Sequence, residues 1–167
     1  MRKIVVAEFV TLDNVIQAPG GAEEDTEGGF TQGGWTWPYW HDDIGARFFE
    51  EMSQTDALLL GRKTWQIHGG AFEPMPAGDT FGNLMNNMHK YVVSTTLTTT
   101  SAWRNSTLIS GNVIEEIRAL KAQPGKNIAI DLIIRVMEKR FAEFCELSQH
   151  RDLWASPTNG ESALARL

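Results

Sequence analysis

The spacing of its apolar runs constrains this chain most. A β-rich stretch fills 3–12 and includes Ile4, Val5, Val6, Phe9 and Val10. Shorter runs follow at 57–60, 91–94, 107–109 and 127–131. Each is brief and dominated by Val, Ile and Leu, as strands buried on both faces are. Helical patterns lie between them. One spans about 44–54, with Ile44, Phe48, Phe49 and Met52 on one stripe and Asp42 or Asp43 as its cap. A helical turn over 63–67 is entered through Gly61 and broken by Gly69-Gly70. A weaker helix is expected around 82–88. Another covers 113–122, capped by Asn112 and stopped by Pro124-Gly125. Strands alternating with helices predict an α/β fold: one domain with a mostly parallel central sheet flanked by helices.

Composition narrows the function classes. At 167 residues the chain can bury one sizeable core. Its single cysteine, Cys145, excludes an internal disulfide framework and a thiolate zinc site. Twenty-one acids against 15 bases give a net charge of −6, and no basic block is present. Nucleic acid and anionic membranes are therefore poor partners. The apolar stretch after Met1-Arg2-Lys3 is broken at Glu8, too early for an export signal. No segment reaches the length of a membrane span, and a cytoplasmic location is expected. His41, His68, His89 and His150 have no metal-ligand spacing, so no metal is expected. No GxSxG, GxGxxG or GxxxxGK[ST] motif occurs, which disfavours a hydrolase elbow, a Rossmann turn and a P-loop.

Three places can face a ligand. At 60–65 a buried strand runs through Gly61 into a helix start bearing Arg62, Lys63 and Thr64. Backbone N–H groups there attract phosphate, and the bases add cationic partners. The alternative is a plain strand–turn–helix connection with two solvated bases. Ser94, Thr95 and Thr96 follow the next strand, where open α/β sheets bind ligands; ordinary turn chemistry is the alternative. The third place is the long glycine-rich, acidic loop over 17–34 with the aromatic run of Trp35, Trp37, Tyr39 and Trp40. A loop of that length is either functional or disordered. The aromatics offer a flat apolar surface for a ring, and Asp42 or Asp43 beside them could anchor an amino-bearing heterocycle or simply cap the helix.

Taken in order, these stretches resemble the dihydrofolate-reductase-like superfamily. Within it they resemble bacterial proteins similar to the C-terminal reductase domain of the riboflavin-biosynthesis deaminase/reductase. The segments VTLDNVI at 10–16 and DALLLGRKTW at 56–65 carry most of the likeness, which covers about 2–131. It implies a reductase that uses NADPH on a pteridine-like or ribosylamino-pyrimidine-like heterocycle. On this likeness Gly61, Arg62, Lys63 and Thr64 grip the cofactor phosphates. Ser94, Thr95 and Thr96 lie by the 2′-phosphate, and Ala7 and Ile16 flank the nicotinamide. The 17–34 loop corresponds to a mobile loop over the active site. Asp43 matches the acid that anchors the substrate, with Asp42 one position away, and Trp40, Phe48 and Phe49 line the substrate pocket.

The likeness stops abruptly after Asp131, where the family continues with a glycine/serine turn and further strands. Here 132–149 reads instead as a helix and 150–167 as irregular chain. The tail has either diverged or arisen by a shifted reading frame near codon 131, and the abruptness favours the shift. A sheet lacking its C-terminal strands is then expected, with an open edge beside the 127–131 strand that invites aggregation or a homodimer. Loss of the phosphate-gripping turn would cost about 2–4 kcal/mol of cofactor affinity. A non-catalytic nucleotide- or pterin-binding protein and an inactive fragment are the competing expectations.

Overall fold

The computed structural model describes residues 1–131. The helix expected over 132–149, the irregular stretch after it and any further strands lie outside the described residues. Five strands form one parallel sheet: β1 (Ile4–Val6), β2 (Thr55–Gly61), β3 (His89–Val93), β4 (Ser106–Ile109) and β5 (Asn127–Asp131), in the order β1-β5-β2-β3-β4. Four helices accompany them: α1 (Asp42–Ser53), α2 (Arg62–Phe72), α3 (Thr80–Asn87) and α4 (Val113–Ala122). The described residues form two compact units. One gathers Met1–Val6 and the chain from Met52 onward; the other is Ala7–Glu51.

In the sheet-bearing unit, alternation along each strand sorts side chains to two faces. Leu59 pairs in register with Tyr91 and with Ile130, and Ile4 with Ile128. These residues cluster with Ala57, Ile109, Ile117 and Leu120, so α4 covers this face. Leu58, Leu60, Lys90 and Val92 alternate onto the opposite face, and all four are buried. Lys90 reaches α3 there, its Nζ donating to the carbonyls of Met85 at 3.1 Å and Asn86 at 3.0 Å. Connections on opposite faces suit right-handed crossovers that run outward through β2, β3 and β4 and then back to β5.

The link from β3 to β4 contains no helix, so its own residues must fill that face. Trp103 does so: it is fully buried, and its Nε1 donates to Asn86 Oδ1 at 2.6 Å. Its ring lies 6.2 Å from that of Phe72, and Lys90 Nζ sits 4.5 Å from the ring centre. A methyl on Gly69 would stand 3.2 Å from Trp103 Cβ. Gly69 therefore opens a notch in α2 for the indole. The helix runs straight through Gly69-Gly70, and the expected break there is corrected.

Two further expectations change. The strand expected over 3–12 is only Ile4–Val6, because β1 has a partner only where it faces 128–130. From Ala7 the chain belongs to the other unit. The 127–131 strand is not an edge either. It pairs with β1 on one side and β2 on the other, so among the described residues the edges are β1 and β4. Arg2 fastens this arrangement at the amino ends of the strands. It is buried, donates through Nε to the Lys126 carbonyl at 2.8 Å, and pairs with Asp56.

In the second unit the glycine-rich loop is closed on itself. Gly34 N–H donates to the Ala18 carbonyl at 2.8 Å, and Trp35 Nε1 to the Gln17 carbonyl at 2.9 Å. Trp37 Nε1 donates to the Gly20 carbonyl at 2.6 Å, and Thr36 Oγ1 to the Pro19 carbonyl at 2.6 Å. Glu24 accepts from the Gly20 and Gly21 N–H groups. Ends held close and internal bonding make this a self-contained loop. A side chain at Gly33 would meet the Gly21 carbonyl at 2.4 Å, so glycine is obligatory at this closure.

Candidate functional site

Register assembles the sheet-bearing unit's part of the site. Gly61, the last residue of β2, pairs with Val93, the last of β3. The turn entering α2 and the turn holding Ser94, Thr95 and Thr96 are therefore neighbours at the carboxyl edge of a parallel sheet. Open α/β sheets take ligands at that edge. Gly61 is the N-cap of α2 and supplies no capping side chain. The first-turn N–H groups, those of Arg62, Lys63 and Thr64 among them, have no acceptor within the helix and present positive charge to the edge. Gly61 has ordinary extended angles, φ −72° and ψ 158°. Any residue could adopt them, so backbone strain does not demand glycine. A Cβ there would meet nothing within 4 Å. The glycine leaves open space against the backbone, where a ligand can approach.

Arg62 is exposed, Lys63 half-buried and Thr64 buried. Arg62 Nη1 donates to Gln66 Oε1 at 2.8 Å, one turn along α2. Ser94 is buried, and its Oγ accepts from the N–H groups of Thr96 at 3.1 Å and Leu97 at 3.0 Å. Its hydroxyl thus shapes the turn, leaving Thr95 and Thr96 exposed. Ser94 N–H donates to the Ile109 carbonyl at 3.1 Å, and Trp65 Nε1 to Ser106 Oγ at 2.9 Å. Both turns are therefore fastened to β4. A groove of about 350 Å³ lies beyond, between β4 and α4, lined by Tyr91, Leu108, Ser110, Gly111, Glu116 and Leu120. Sequence reasoning missed it, since Ser110-Gly111 reads as a plain turn.

The other candidates, Ala7, Ile16, Trp40, Asp43, Phe48 and Phe49, lie in the second unit. Ala7, Ile16 and Phe48 are half-buried. Trp40 and Phe49 are 42% and 43% exposed. Trp40 packs on Trp37 with ring centres 5.6 Å apart and on Phe9 at 6.2 Å. Asp42 and Asp43 occupy the first turn of α1. The cap expected of them is supplied by His41, whose Nδ1 accepts the Asp43 N–H at 3.2 Å. The Asp43 carboxylate is 92% exposed and lies 3.2 Å from the same Nδ1. Among the described residues no group of three or more His, Cys, Asp or Glu side chains could hold a metal, and no helix is long and apolar enough to cross a membrane.

No family model matches the chain. The Bacillus subtilis (strain 168) "Uncharacterized protein YyaP" is 29% identical over 130 residues, 76% of this chain and 61% of that protein. The chain thus spans less than two thirds of this relative's length. Among solved structures, the dihydrofolate reductase from Enterococcus faecalis complexed with NADP(H) and RAB-propyl is similar, with a TM-score of 0.50 and 16% identity. The likeness covers 96% of this chain and 75% of that one. The chain therefore has a dihydrofolate-reductase-like fold, with a five-stranded parallel sheet between helices.

Proposed function

We propose that this protein is an NADPH-dependent reductase acting on a pteridine- or ribosylamino-pyrimidine-like heterocycle. In this reading it is akin to the C-terminal reductase domain of riboflavin-biosynthesis deaminase/reductase. One observation carries the reading: β2–β3 register sets the 61–64 turn beside the 94–96 turn at the carboxyl edge of the sheet. The residues fit the cofactor. Space is open at Gly61, helix N–H groups face the edge, Arg62 supplies a charge, and Thr95 and Thr96 supply exposed hydroxyls. Gly61, Arg62, Lys63 and Thr64 would hold the pyrophosphate side, and the 94–96 turn the 2′-phosphate. When bound, the cofactor supplies the hydride; the protein binds, orients and excludes water. Ala7 and Ile16 would flank the nicotinamide, Asp43 would anchor the heterocycle, and Trp40, Phe48 and Phe49 would contact it. These second-unit roles rest on the family resemblance.

The test is fluorescence titration of NADPH against the full chain and Arg62→Ala, followed by a screen for substrate-dependent NADPH oxidation. Arg62→Ala should weaken binding about tenfold or more, ~1.4 kcal/mol. A folded chain that does not bind NADPH refutes the reading. One observation favours a second reading, a non-catalytic nucleotide- or pterin-binding protein: the Asp43 carboxylate is solvent-exposed and beside His41 rather than buried. Asp43→Asn separates the two. Loss of substrate-dependent oxidation with unchanged NADPH affinity supports the reductase.

A further inference from the structure

We propose that Gln66 is the positioning residue that holds the Arg62 guanidinium ready for a phosphate without neutralising its charge. The inference rests on the nucleotide-binding reading above and names the residue that tunes it. Its basis is a contrast among the arginines. Arg2 is paired with Asp56, Arg47 with Glu50 and Glu51, Arg104 with Glu73, and Arg118 with Glu115. Among the described arginines Arg62 is the one held solely by a neutral group, the Gln66 side-chain amide at 2.8 Å.

Geometry does not explain the contrast. Arg62 and Gln66 stand four apart on α2, the spacing at which Arg47 on α1 takes the carboxylate of Glu51. An acid at 66 would fit as well and bond more strongly. It would also cancel the charge and compete with phosphate oxygens for the same N–H donors. An amide oxygen orients the guanidinium and restricts its rotamers, which lowers the entropy lost on binding. It leaves the charge of Arg62, the residue that follows Gly61 at the start of α2, uncancelled.

NADPH titration of the full chain at low and high salt tests this, comparing wild type, Gln66→Glu, Gln66→Ala and Arg62→Ala. Gln66→Glu should weaken binding about fivefold or more at low salt, with the gap closing at high salt as the new pair is screened. Gln66→Ala should lose no more than about threefold, with the wild-type salt dependence, because it removes orientation and not charge. Thermal midpoints of the Gln66 variants should stay at the wild-type value, since both residues are exposed. The inference is overturned if Gln66→Glu binds within about twofold of wild type while Arg62→Ala loses about tenfold. Equal losses in the two Gln66 variants overturn it as well. Absence of NADPH binding by folded wild type is a different result: the nucleotide reading itself then falls, and this inference with it.

Discussion

Lys90 gives the sharpest physical test of the core that supports the two turns. Its side chain is fully buried on β3, four residues before Ser94. Two of its donors go to the Met85 and Asn86 carbonyls at the end of α3, and the third faces the Trp103 ring. Its three donors are thus all directed, and among the described residues no carboxylate lies within bonding distance. Glu73 favours its charge from a distance, and Arg104 opposes it. Burial dominates and pushes Lys90 down to about 8 from the ordinary lysine value of 10.5. Below pH 8 the folded and unfolded chains both carry the proton, so the penalty of burying the charge is fully present. Between pH 8 and 10.5 the unfolded chain holds a proton that the folded chain has released, so stability rises with pH. Across that window the gain is roughly 3 kcal/mol, at ~1.4 kcal/mol per pH unit.

Urea unfolding of wild type and Lys90→Met from pH 7 to pH 10.5 isolates this contribution, because other alkaline titrations cancel in the difference. Wild type should gain on the variant by roughly 3 kcal/mol across the series. Near pH 7 the two should lie closer. The variant sheds a buried charge but leaves the Met85 carbonyl without this donor, at a cost of about 1–3 kcal/mol. The Asn86 carbonyl keeps the Asn105 side-chain amide at 3.0 Å. Parallel pH profiles would refute the argument and mean that Lys90 is solvated in solution.

Two other substitutions separate site from scaffold. Gly61→Ala should leave the melting temperature within about 2 °C of wild type, because the poorer cap offsets the smaller unfolded-state entropy. The added methyl fills the open space beside the backbone, so NADPH affinity by titration should fall about tenfold or more; unchanged affinity would remove Gly61 from the site. Gly69→Ala should do the reverse. Its methyl would press on Trp103, which is fully buried and has no room to shift, costing about 1–3 kcal/mol in urea unfolding, whereas a small gain typical of helical Gly→Ala would show that the notch is loose.

The elements with punctuation at both ends were the legible ones. α4 covers 113–122 as read, between Asn112 and Pro124-Gly125, and β5 covers 127–131 as read. The first strand was overread, because apolarity from Val6 to Leu12 carries no record of whether a ladder partner exists. β1 pairs with β5 across more than 120 residues, a contact that no local pattern encodes, so the edge was assigned to the wrong strand. Gly69-Gly70 reads locally as a break because the partner that requires Gly69, Trp103, lies 34 positions away in the sequence. The rule that open sheets carry ligands at their carboxyl ends singles out the 94–96 turn from sequence, whereas its position beside the 61–64 turn comes from the β2–β3 register. Gln66 was missed although its signal was present, an arginine and an amide one helical turn apart. That spacing gains meaning only beside the carboxylate partners of the other arginines.

The 94–96 turn is made of hydroxyl residues, and the 61–64 turn opens on a glycine and closes on a threonine, while the strands beneath them are bulky. Glycine and threonine leave room and offer donors, but they contribute little packing to hold themselves in place. The rigidity has to come from neighbours. Leu58, Leu59 and Leu60 immediately before Gly61 are buried, as is Val92 before the 94–96 turn. Trp65, one turn into α2, reaches across to Ser106 of β4. Trp103 lies in the Gly69 notch, bonded to Asn86, and so pins the far end of the loop that begins at Ser94. Each turn is therefore held by a buried strand on one side and an indole hydrogen bond on the other. Substitutions at Trp65 or Trp103 should loosen the two turns even though neither indole lies in them.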